Sequence, residues 1–254
     1  MTNRDFSQAT RYFEGLAERY AAFRPSYPIA AIDAMLDGLP VPARVADVGC
    51  GTGISTRLLL GAGAIVTGID PSDDMLDRAR RAIGDRANCD LRTGTGERTG
   101  LPEAAVDLVV CAQSFHWLDP ARAFDEFHRI IRPGGRLALV WNVRRGDDPV
   151  AAGYQAIVRR AQADAETRNL LTRRIRSYAI DDDRFRDART LVFDNPHTLD
   201  WPGFSGRMHS ASYYPPKGPL REELDRAMRE LFDANEDDGR VIIGQQTEVT
   251  LATR

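Results

Sequence analysis

The sequence predicts an α/β protein in which a mostly parallel sheet is covered by helices on both faces. Three observations support this prediction. Between residues 44 and 142, short apolar runs of strand type alternate with segments of helical spacing. The run Val106–Ala112 is apolar except at Asp107, as expected of a strand that is buried on both faces of its sheet. A glycine-rich turn at 49–53 joins the first strand to the first helix, as in a nucleotide-binding βαβ unit.

The elements are predicted in a regular order. Residues 6–39 are expected to be helical around a proline-containing break at 24–28. The units that follow are strand 44–48, helix 54–61, strand 64–69, helix 72–83, strand 89–93, strand 106–112, helix 120–131 and strand 136–142. The helix 120–131 stops at Arg132-Pro133-Gly134-Gly135, a combination that ends helices and begins turns.

The pattern changes after residue 142. Residues 147–187 are polar and rich in arginine, with helical spacing, and they indicate an inserted helical cap. Strand-like character returns at 189–199, a helix at 219–235 and a closing strand at 240–252. We therefore expect one domain, divided into an N-terminal helical lid (1–40), a cofactor-binding core (41–142), the helical insert (143–188) and the C-terminal part of the sheet (189–254).

Composition limits the class of protein. A formal net charge of −3 over 254 residues gives no basic excess, so we expect no nucleic-acid partner. No segment approaches the roughly 18 apolar residues of a membrane span. The cysteines at 50, 89 and 111 have no metal-ligand spacing with the histidines, which favours core cysteines in a reducing, cytoplasmic compartment and no bound metal.

The glycine turn is the most specific motif of the chain. Its glycines stand at 49, 51 and 53, and Ile54 occupies the position where a dinucleotide-binding G-x-G-x-x-G pattern has its third glycine. Asp70 ends the second strand, where a carboxylate can accept hydrogen bonds from both hydroxyls of a ribose. Asp47 lies just before the turn and could hold it together or meet a cationic group of a ligand. The alternatives are a plain tight turn and, for Asp70, an acid favoured by the dipole of a helix that Ser72 caps.

Further motifs follow in order. They comprise Gly68-Ile69-Asp70-Pro71-Ser72-Asp73-Asp74-Met75-Leu76, Ala112-Gln113-Ser114-Phe115-His116-Trp117 and Arg132-Pro133-Gly134-Gly135. With the glycine turn, they resemble motif I, post-I, the post-strand-4 motif and motif III of class I S-adenosylmethionine-dependent methyltransferases. Glu18–Pro28 resembles the Tyr-x-x-x-Arg-Pro-x-Tyr-Pro signature of their type 11 small-molecule branch, which includes trans-aconitate methyltransferase-like enzymes. Residues 209–213 and 247–249 are weaker matches.

The resemblance implies a Rossmann-like, seven-stranded, mostly parallel sheet and S-adenosylmethionine as cofactor, converted to S-adenosylhomocysteine. It implies cofactor contacts from Asp47, Gly49, Gly51, Asp70, Met75, Thr95, Gly96, Glu97 and Gln113. Gly49 and Gly51 would let the backbone approach the methionine portion, Asp70 would bind the ribose, and Met75 would pack on adenine. Relatives often carry Gly-Asp-Ala-Glu after the third strand, and Thr95 stands here in place of that aspartate.

The acceptor side of the site is expected to involve Tyr20, Arg24, Tyr27, Trp117 and Trp141, with His116 as the catalytic residue. His116 follows a buried strand at the end where open α/β sheets bind ligands, so it could act as a base or bond the acceptor. A histidine that only bonds the backbone is the alternative, and packing alone would explain both tryptophans. Arg24 suits a carboxylate of the cofactor or of an acidic substrate, and its alternative is a surface arginine.

The predicted function is methyl transfer to a small molecule, whose acceptor could be a carboxylate, phenol, amine or acidic carbon. Transfer from a sulfonium is an in-line displacement, so the protein mainly has to align the reactants and exclude water. A nicotinamide-dependent oxidoreductase and a non-catalytic S-adenosylmethionine-binding protein are the alternatives from other classes. The sequence does not choose the acceptor, and it leaves the oligomeric state open.

Overall fold

A computed structural model gives the fold and describes residues 24–162, 182–211 and 214–254. Tyr20, most of the predicted N-terminal lid and much of the predicted helical insert therefore lie outside the described residues. The described helices are α1 (Ile29–Leu36), α2 (Ile54–Gly61), α3 (Asp73–Ile83), α4 (Pro120–Ile130), α5 (Pro149–Ala161), α6 (Trp201–His209) and α7 (Pro219–Asp233). The strands are β1 (Arg44–Val48), β2 (Ile65–Asp70), β3 (Cys89–Thr93), β4 (Val106–Ala112), β5 (Ile131–Arg144), β6 (Arg186–Asp194), β7 (His197–Asp200), β8 (Arg240–Ile243) and β9 (Gln245–Thr253).

Seven strands form one sheet in the order β3-β2-β1-β4-β5-β9-β6. The first five are parallel, and β9 runs antiparallel to both β5 and β6. The strand order reverses beside β1, where β2 lies on one side and β4 on the other. This is the Rossmann-like, mostly parallel sheet that the sequence predicts, and such sheets bind ligands at the carboxyl edge near the reversal.

Two apolar cores cover the faces of this sheet. On one face, α4 packs its buried side chains against β4 and β5 around Phe115 and Phe127, which are fully buried. On the other face, α1, α2 and α3 cover β1 and β2 around Ile32 and Leu59. Caps fix where the helices begin: the Ser72 hydroxyl accepts from the Met75 amide at the start of α3, and Asp119 caps α4 ahead of Pro120.

A third core lies outside the main sheet. It joins α5, α6, α7 and the β7–β8 ribbon around buried Tyr154, Phe204 and Met228. We call these five elements the cap. Helix α5 of the cap comes from the predicted insert, and its other four elements come from the part of the chain that was predicted to complete the sheet. In that part of the chain, only β6 and β9 belong to the main sheet.

Four features differ from the sequence prediction. Strand β5 begins at Ile131, so residues 132–135, predicted as a turn after the helix, lie within this strand. The strand-like segment 189–199 is two strands, because pairing with β9 ends at Asp194 and β7, from His197, pairs with β8 instead. The closing strand is interrupted at Gly244, which separates β8 in the cap from β9 in the sheet. Helix α6 was not predicted, since Pro202, Gly203 and Gly206 weaken its helical signal.

Candidate active site

The site lies at the carboxyl edge of the sheet, where the chain leaves β1, β2 and β4 beside one another. The turn after β1 contains the motif glycines, β2 ends at Asp70, and a short 3₁₀ helix, Phe115–Trp117, follows β4. The turn is joined to the neighbouring strand by hydrogen bonds from the amides of Gly49 and Cys50 to the Ile69 carbonyl, at 2.7 and 3.1 Å. Three segments that are distant in sequence thus form one ligand-binding edge.

Two glycines of the turn have different roles, although both have positive φ angles. At Gly49, φ is +69° and a Cβ atom would overlap the Cβ of Ser114, whose hydroxyl donates to the Val48 carbonyl at 2.6 Å. At Gly51, φ is +54° and no atom lies within 4 Å of where a Cβ would stand. Gly49 therefore permits close packing of β1 against the loop after β4, and Gly51 is the position where the backbone faces open space.

Asp70 is 8% exposed and is fixed by two backbone amides. One carboxylate oxygen accepts from the Gly51 amide and the other from the Ser72 amide, both at 2.9 Å. Burial raises the pKa of this carboxyl, and the two amide hydrogen bonds oppose that rise. Each oxygen of a carboxylate has more than one lone pair, so a held carboxylate can still accept from a ligand hydroxyl.

Asp47 is fully buried beneath the glycine turn. One of its oxygens accepts from the hydroxyls of Ser55 and Thr56, at 2.7 and 2.6 Å, and thereby fixes the start of α2. Its other oxygen is buried and has no hydrogen-bond partner in the described part of the chain. Burial raises the pKa of Asp47 to about 6. The two hydroxyl hydrogen bonds hold the start of α2 against the end of β1, and the cofactor contact of Asp47 stays a prediction.

A cavity of about 260 Å³ adjoins the turn. Seven residues predicted to bind cofactor or acceptor, or to act in catalysis, line it: Arg24, Tyr27, Gly49, Gly51, Gln113, His116 and Trp117. The described lining also includes side chains that the sequence prediction did not include: Thr52, Ser55, Asn142, Arg144, Arg207 and Ser210. Arg207 belongs to the cap and Ser210 directly follows α6, so the cavity is lined from both the core and the cap side.

Gln113 has an unusual backbone conformation for its residue type. Its φ is +60°, a left-handed value that is costly for a residue with a Cβ atom. Its amide donates to the Val140 carbonyl at 2.9 Å, and its side-chain nitrogen donates to the Asn142 carbonyl at 3.4 Å. These bonds tie the end of β4 to β5 and hold Gln113 at the cavity.

The predicted adenine-side residues lie at the same edge but outside the described cavity lining. Met75 is buried on α3, and Thr95 is exposed on a tight turn closed by hydrogen bonds to Arg98. Gly96 is buried beneath Leu118, which a Cβ atom there would overlap. Glu97 accepts from the Asp119 amide at 2.7 Å, so this carboxylate also positions the segment after β4. Their contacts with adenine remain predictions.

His116 lies on the 3₁₀ helix between two tryptophans. Its ring centroid is 4.8 Å from that of Trp117 and 5.5 Å from that of Trp141. Its Nδ1 atom is buried and has no hydrogen-bond partner among the described residues. Burial, assisted by the charge of Arg24, lowers its pKa to about 4, so the ring is neutral at pH 7. Trp141 packs against the His116 ring but is not part of the described cavity lining.

Three arginines lie in the described lining of the cavity. Arg24, Arg144 and Arg207 line it, and its described lining contains no aspartate or glutamate. Arg144 donates to the Gln155 side-chain oxygen at 2.7 Å and lies over the ring of Tyr154. Arg207, on α6, is only 7% exposed. The sequence analysis missed Arg207, because α6 was not predicted and no motif of the sequence includes this residue.

Other types of site find no support in the described parts of the chain. Within residues 24–162, 182–211 and 214–254, no group of three or more His, Cys, Asp or Glu side chains could hold a metal ion. None of the helices described there is long and apolar enough to cross a membrane. The site is therefore best understood through its glycine turn, Asp70 and the arginine-lined cavity.

The strand order, the glycine turn after β1 and the acid at the end of β2 together define a Rossmann-like methyltransferase fold. Comparison with protein families agrees: residues 46–139 match the family described as "Methyltransferase domain". The match runs from within β1 to within β5 and therefore includes the glycine turn, Asp70 and His116. It does not extend to the cap.

Relatives and solved structures give the same picture. An uncharacterized methyltransferase of Mycobacterium tuberculosis is 47% identical over 126 residues, which are 49% of this chain and 49% of that protein. The chain spans about half the length of the curated relatives it matches. A protein from Anaeromyxobacter dehalogenans, proposed to be a type II methyltransferase, is 22% identical with a TM-score of 0.64, covering 91% of this chain and 97% of its own.

Geranyl diphosphate C-methyltransferase from Streptomyces coelicolor is also similar in fold, with a TM-score of 0.52 and 16% identity over 98% of this chain and 97% of its own. That enzyme was crystallised with Mg²⁺, geranyl-S-thiolodiphosphate and S-adenosyl-L-homocysteine. At these identities, the likeness to solved structures establishes the fold of the present chain and leaves its ligands to the chemistry of the site. The trans-aconitate methyltransferase-like branch is not singled out by these comparisons.

Proposed function

We propose that this protein transfers a methyl group from S-adenosylmethionine to a small acidic acceptor. The observation that supports this most directly is the position of the arginine-lined cavity. It adjoins the glycine turn, where the methionine end of the cofactor would lie, and its described lining offers three guanidinium groups and no carboxylate. Guanidinium groups bind carboxylates through paired, charge-assisted hydrogen bonds.

The cofactor fits the residues of the core. Gly51 would admit it where the turn faces open space, and Asp70, held by two amides, would accept from its ribose hydroxyls. Gln113 and Thr52 stand beside the turn, where the methionine end would lie. When bound, the cofactor would supply an activated methyl group that an acceptor atom can take directly by in-line displacement.

The chain's own contribution to the reaction is to bind, align and exclude water. Trp117 and Tyr27 form aromatic walls of the cavity, and Arg24 also lines it. A carboxylate acceptor needs no base, because its oxygen already carries the reacting electron pair. For a phenol or an acidic carbon, His116 would take the proton on a ring nitrogen, since the ring is neutral at pH 7. We propose His116 as the catalytic residue in that second case and as a hydrogen-bonding residue in the first.

The acidic acceptor is tested by a transfer assay with S-adenosylmethionine labelled in its methyl group. The panel pairs small carboxylic acids with their amides and includes phenols and amines of matched size. We expect acids to be labelled at least about tenfold faster than their amides, since each charge-assisted bond contributes roughly 1.5–3 kcal/mol. Equal labelling of acids and amides would contradict the proposed acceptor class while leaving methyl transfer intact.

With an acceptor that reacts at a phenol oxygen or an acidic carbon, His116→Gln is expected to lower turnover by at least about tenfold and to leave S-adenosylhomocysteine affinity within about twofold. With the same acceptor, kcat/KM of the wild type should fall only as the pH drops through about 4, because a base is lost when it is protonated. An anion bound at Arg24 would offset the charge that lowers this pKa, so the acid limb of kcat should lie at higher pH than that of kcat/KM. Unchanged turnover in His116→Gln would remove His116 from the mechanism.

A further inference from the structure

We propose that Thr247 and Asn195 are positioning residues, which hold residues 24–28 against the cavity and thereby place the acceptor-binding side chains of that segment. The segment contributes Arg24 and Tyr27 to the cavity, whereas Thr247 and Asn195 are absent from its described lining. This inference rests on the proposed function and adds two residues that act on the acceptor through the backbone of another segment.

The register of the sheet brings the positioning residues together. Asn142 in β5 pairs directly with Thr247 in the neighbouring strand β9. Asn195 directly follows β6, which pairs with the other side of β9, and its amide donates to the Gln245 carbonyl at 3.0 Å. The end of β5 therefore lies beside the point where the chain leaves the main sheet for the cap.

The hydrogen bonds of these side chains converge on one backbone atom, the carbonyl oxygen of Ser26. The Thr247 hydroxyl donates to Asn142 Oδ1 at 2.6 Å. The side-chain nitrogen of Asn195 is 3.1 Å from that oxygen and 3.1 Å from the Thr247 hydroxyl. The side-chain nitrogens of Asn195 and Asn142 also donate to the Ser26 carbonyl, at 2.9 and 3.2 Å. We call the side chains of Asn142, Asn195 and Thr247 the amide network.

Burial makes the amide network sensitive to the loss of one hydroxyl. Thr247 is fully buried, so water would not replace its hydroxyl. Without that hydroxyl, Asn142 Oδ1 loses a donor and Asn195 loses an acceptor, and the two amides that hold the Ser26 carbonyl lose their fixed orientation. A ligand that contacts residues 24–28 would then have to order this segment on binding, which lowers its affinity.

The first test compares two substitutions of Thr247, because Asn142 lines the cavity itself. Valine keeps the shape of the side chain without the hydroxyl, and serine keeps the hydroxyl. With an acceptor that the transfer assay identifies, Thr247→Val should raise the acceptor KM at least about fivefold and change kcat less than about twofold. Thr247→Ser should restore most of the wild-type KM. A merely structural role predicts lower thermal stability of Thr247→Val without this split between KM and kcat.

Asn195→Asp tests the amide network at its other end. It replaces the donating nitrogen by an oxygen, and the acceptor KM should again rise at least about fivefold. Asn88→Asp is the matched control, because the Asn88 side-chain nitrogen also donates to a backbone carbonyl, that of Ala64, at 3.0 Å. Asn88 precedes β3 at the opposite, amino edge of the sheet, so its substitution should change KM less than about twofold.

A fluorescent label at position 26 follows the segment without any ligand. Ser26 is exposed and joins the amide network through its carbonyl, so Ser26→Cys can carry the label. Cys89→Ser in the same protein removes the partly exposed native thiol, and Cys50 and Cys111 are buried. The fluorescence anisotropy of the label should fall when Thr247→Val is added and should return to the reference value with Thr247→Ser.

The outcomes are distinct from those of the proposed function. If S-adenosylhomocysteine does not bind or no acceptor is methylated, the proposed function fails, and the label alone decides whether the amide network positions the segment. Unchanged anisotropy in Thr247→Val overturns the positioning role, as does an unchanged KM in both Thr247→Val and Asn195→Asp. Lower anisotropy together with a raised KM, both reversed in Thr247→Ser, supports it.

Discussion

Replacing Asp70 by alanine is expected to weaken S-adenosylhomocysteine binding by about tenfold to a hundredfold or more, measured by calorimetric titration at pH 7.5. The variant would lose charge-assisted contacts with the ribose, each contributing roughly 1.5–3 kcal/mol. It would also lose the two bonds from the Gly51 and Ser72 amides that hold the turn against α3. The binding edge would therefore be altered at both the ligand and the backbone.

Asp74→Ala is the matched control for that experiment. Asp74 lies in the first turn of the same helix, is exposed and carries the same charge, but it contacts Arg78 instead of the glycine turn. Its removal should leave the affinity within about twofold of the wild type. If Asp70→Ala bound as tightly as Asp74→Ala, the role of Asp70 in ribose binding would be wrong.

The second large effect is expected at the glycine turn, where two identical substitutions should have different consequences. Gly49→Ala should lower the free energy of unfolding by about 2–5 kcal/mol, since it adds left-handed strain to an overlap with Ser114. Gly51→Ala should cost only about 1–2 kcal/mol, because its Cβ would enter open space. It should nevertheless weaken S-adenosylhomocysteine binding at least about tenfold, because that space is where the cofactor would lie.

Urea unfolding and the same titration distinguish the two variants. The structure gives Gly49 a packing role, whereas the sequence analysis assigned ligand approach to both glycines. If Gly51→Ala bound the cofactor normally, the turn would not be the cofactor's binding site. If Gly49→Ala were as stable as the wild type, the close approach to Ser114 would not limit this position.

Residues 44–142 could be predicted well from the sequence because their signals are local. Most strands there contain a short apolar run, with the more polar β3 as the exception, and most breaks carry glycine, proline or a capping residue. The cap could not be predicted in the same way. Strand β7 has the same strand-like composition as β6, so the sequence does not show that it leaves the main sheet. Its pairing with β8 is what places it in the cap. Helix α6 contains two glycines and a proline, so its formation depends on packing around Phe204.

The residues of the candidate site also differ in how well the sequence predicts them. Its core residues could be proposed because the glycine spacing and Asp70 form a recognisable pattern in sequence. Arg207 could not, since it lies in a helix that was not predicted and its partner Gln245, in β9, is 38 residues away in sequence. The sequence also left two roles open for Asp47, holding the turn or contacting a ligand. Only the fold shows that the hydroxyls of Ser55 and Thr56 donate hydrogen bonds to one of its oxygens.

The most direct test of the central claim is a pair of calorimetric titrations of the wild-type protein, one with S-adenosylhomocysteine and one with NADH. A methyltransferase site built on this turn and Asp70 should bind S-adenosylhomocysteine saturably at one site per chain and show no binding of NADH. Saturable binding of NADH without binding of S-adenosylhomocysteine would contradict the account and favour a nicotinamide-dependent oxidoreductase.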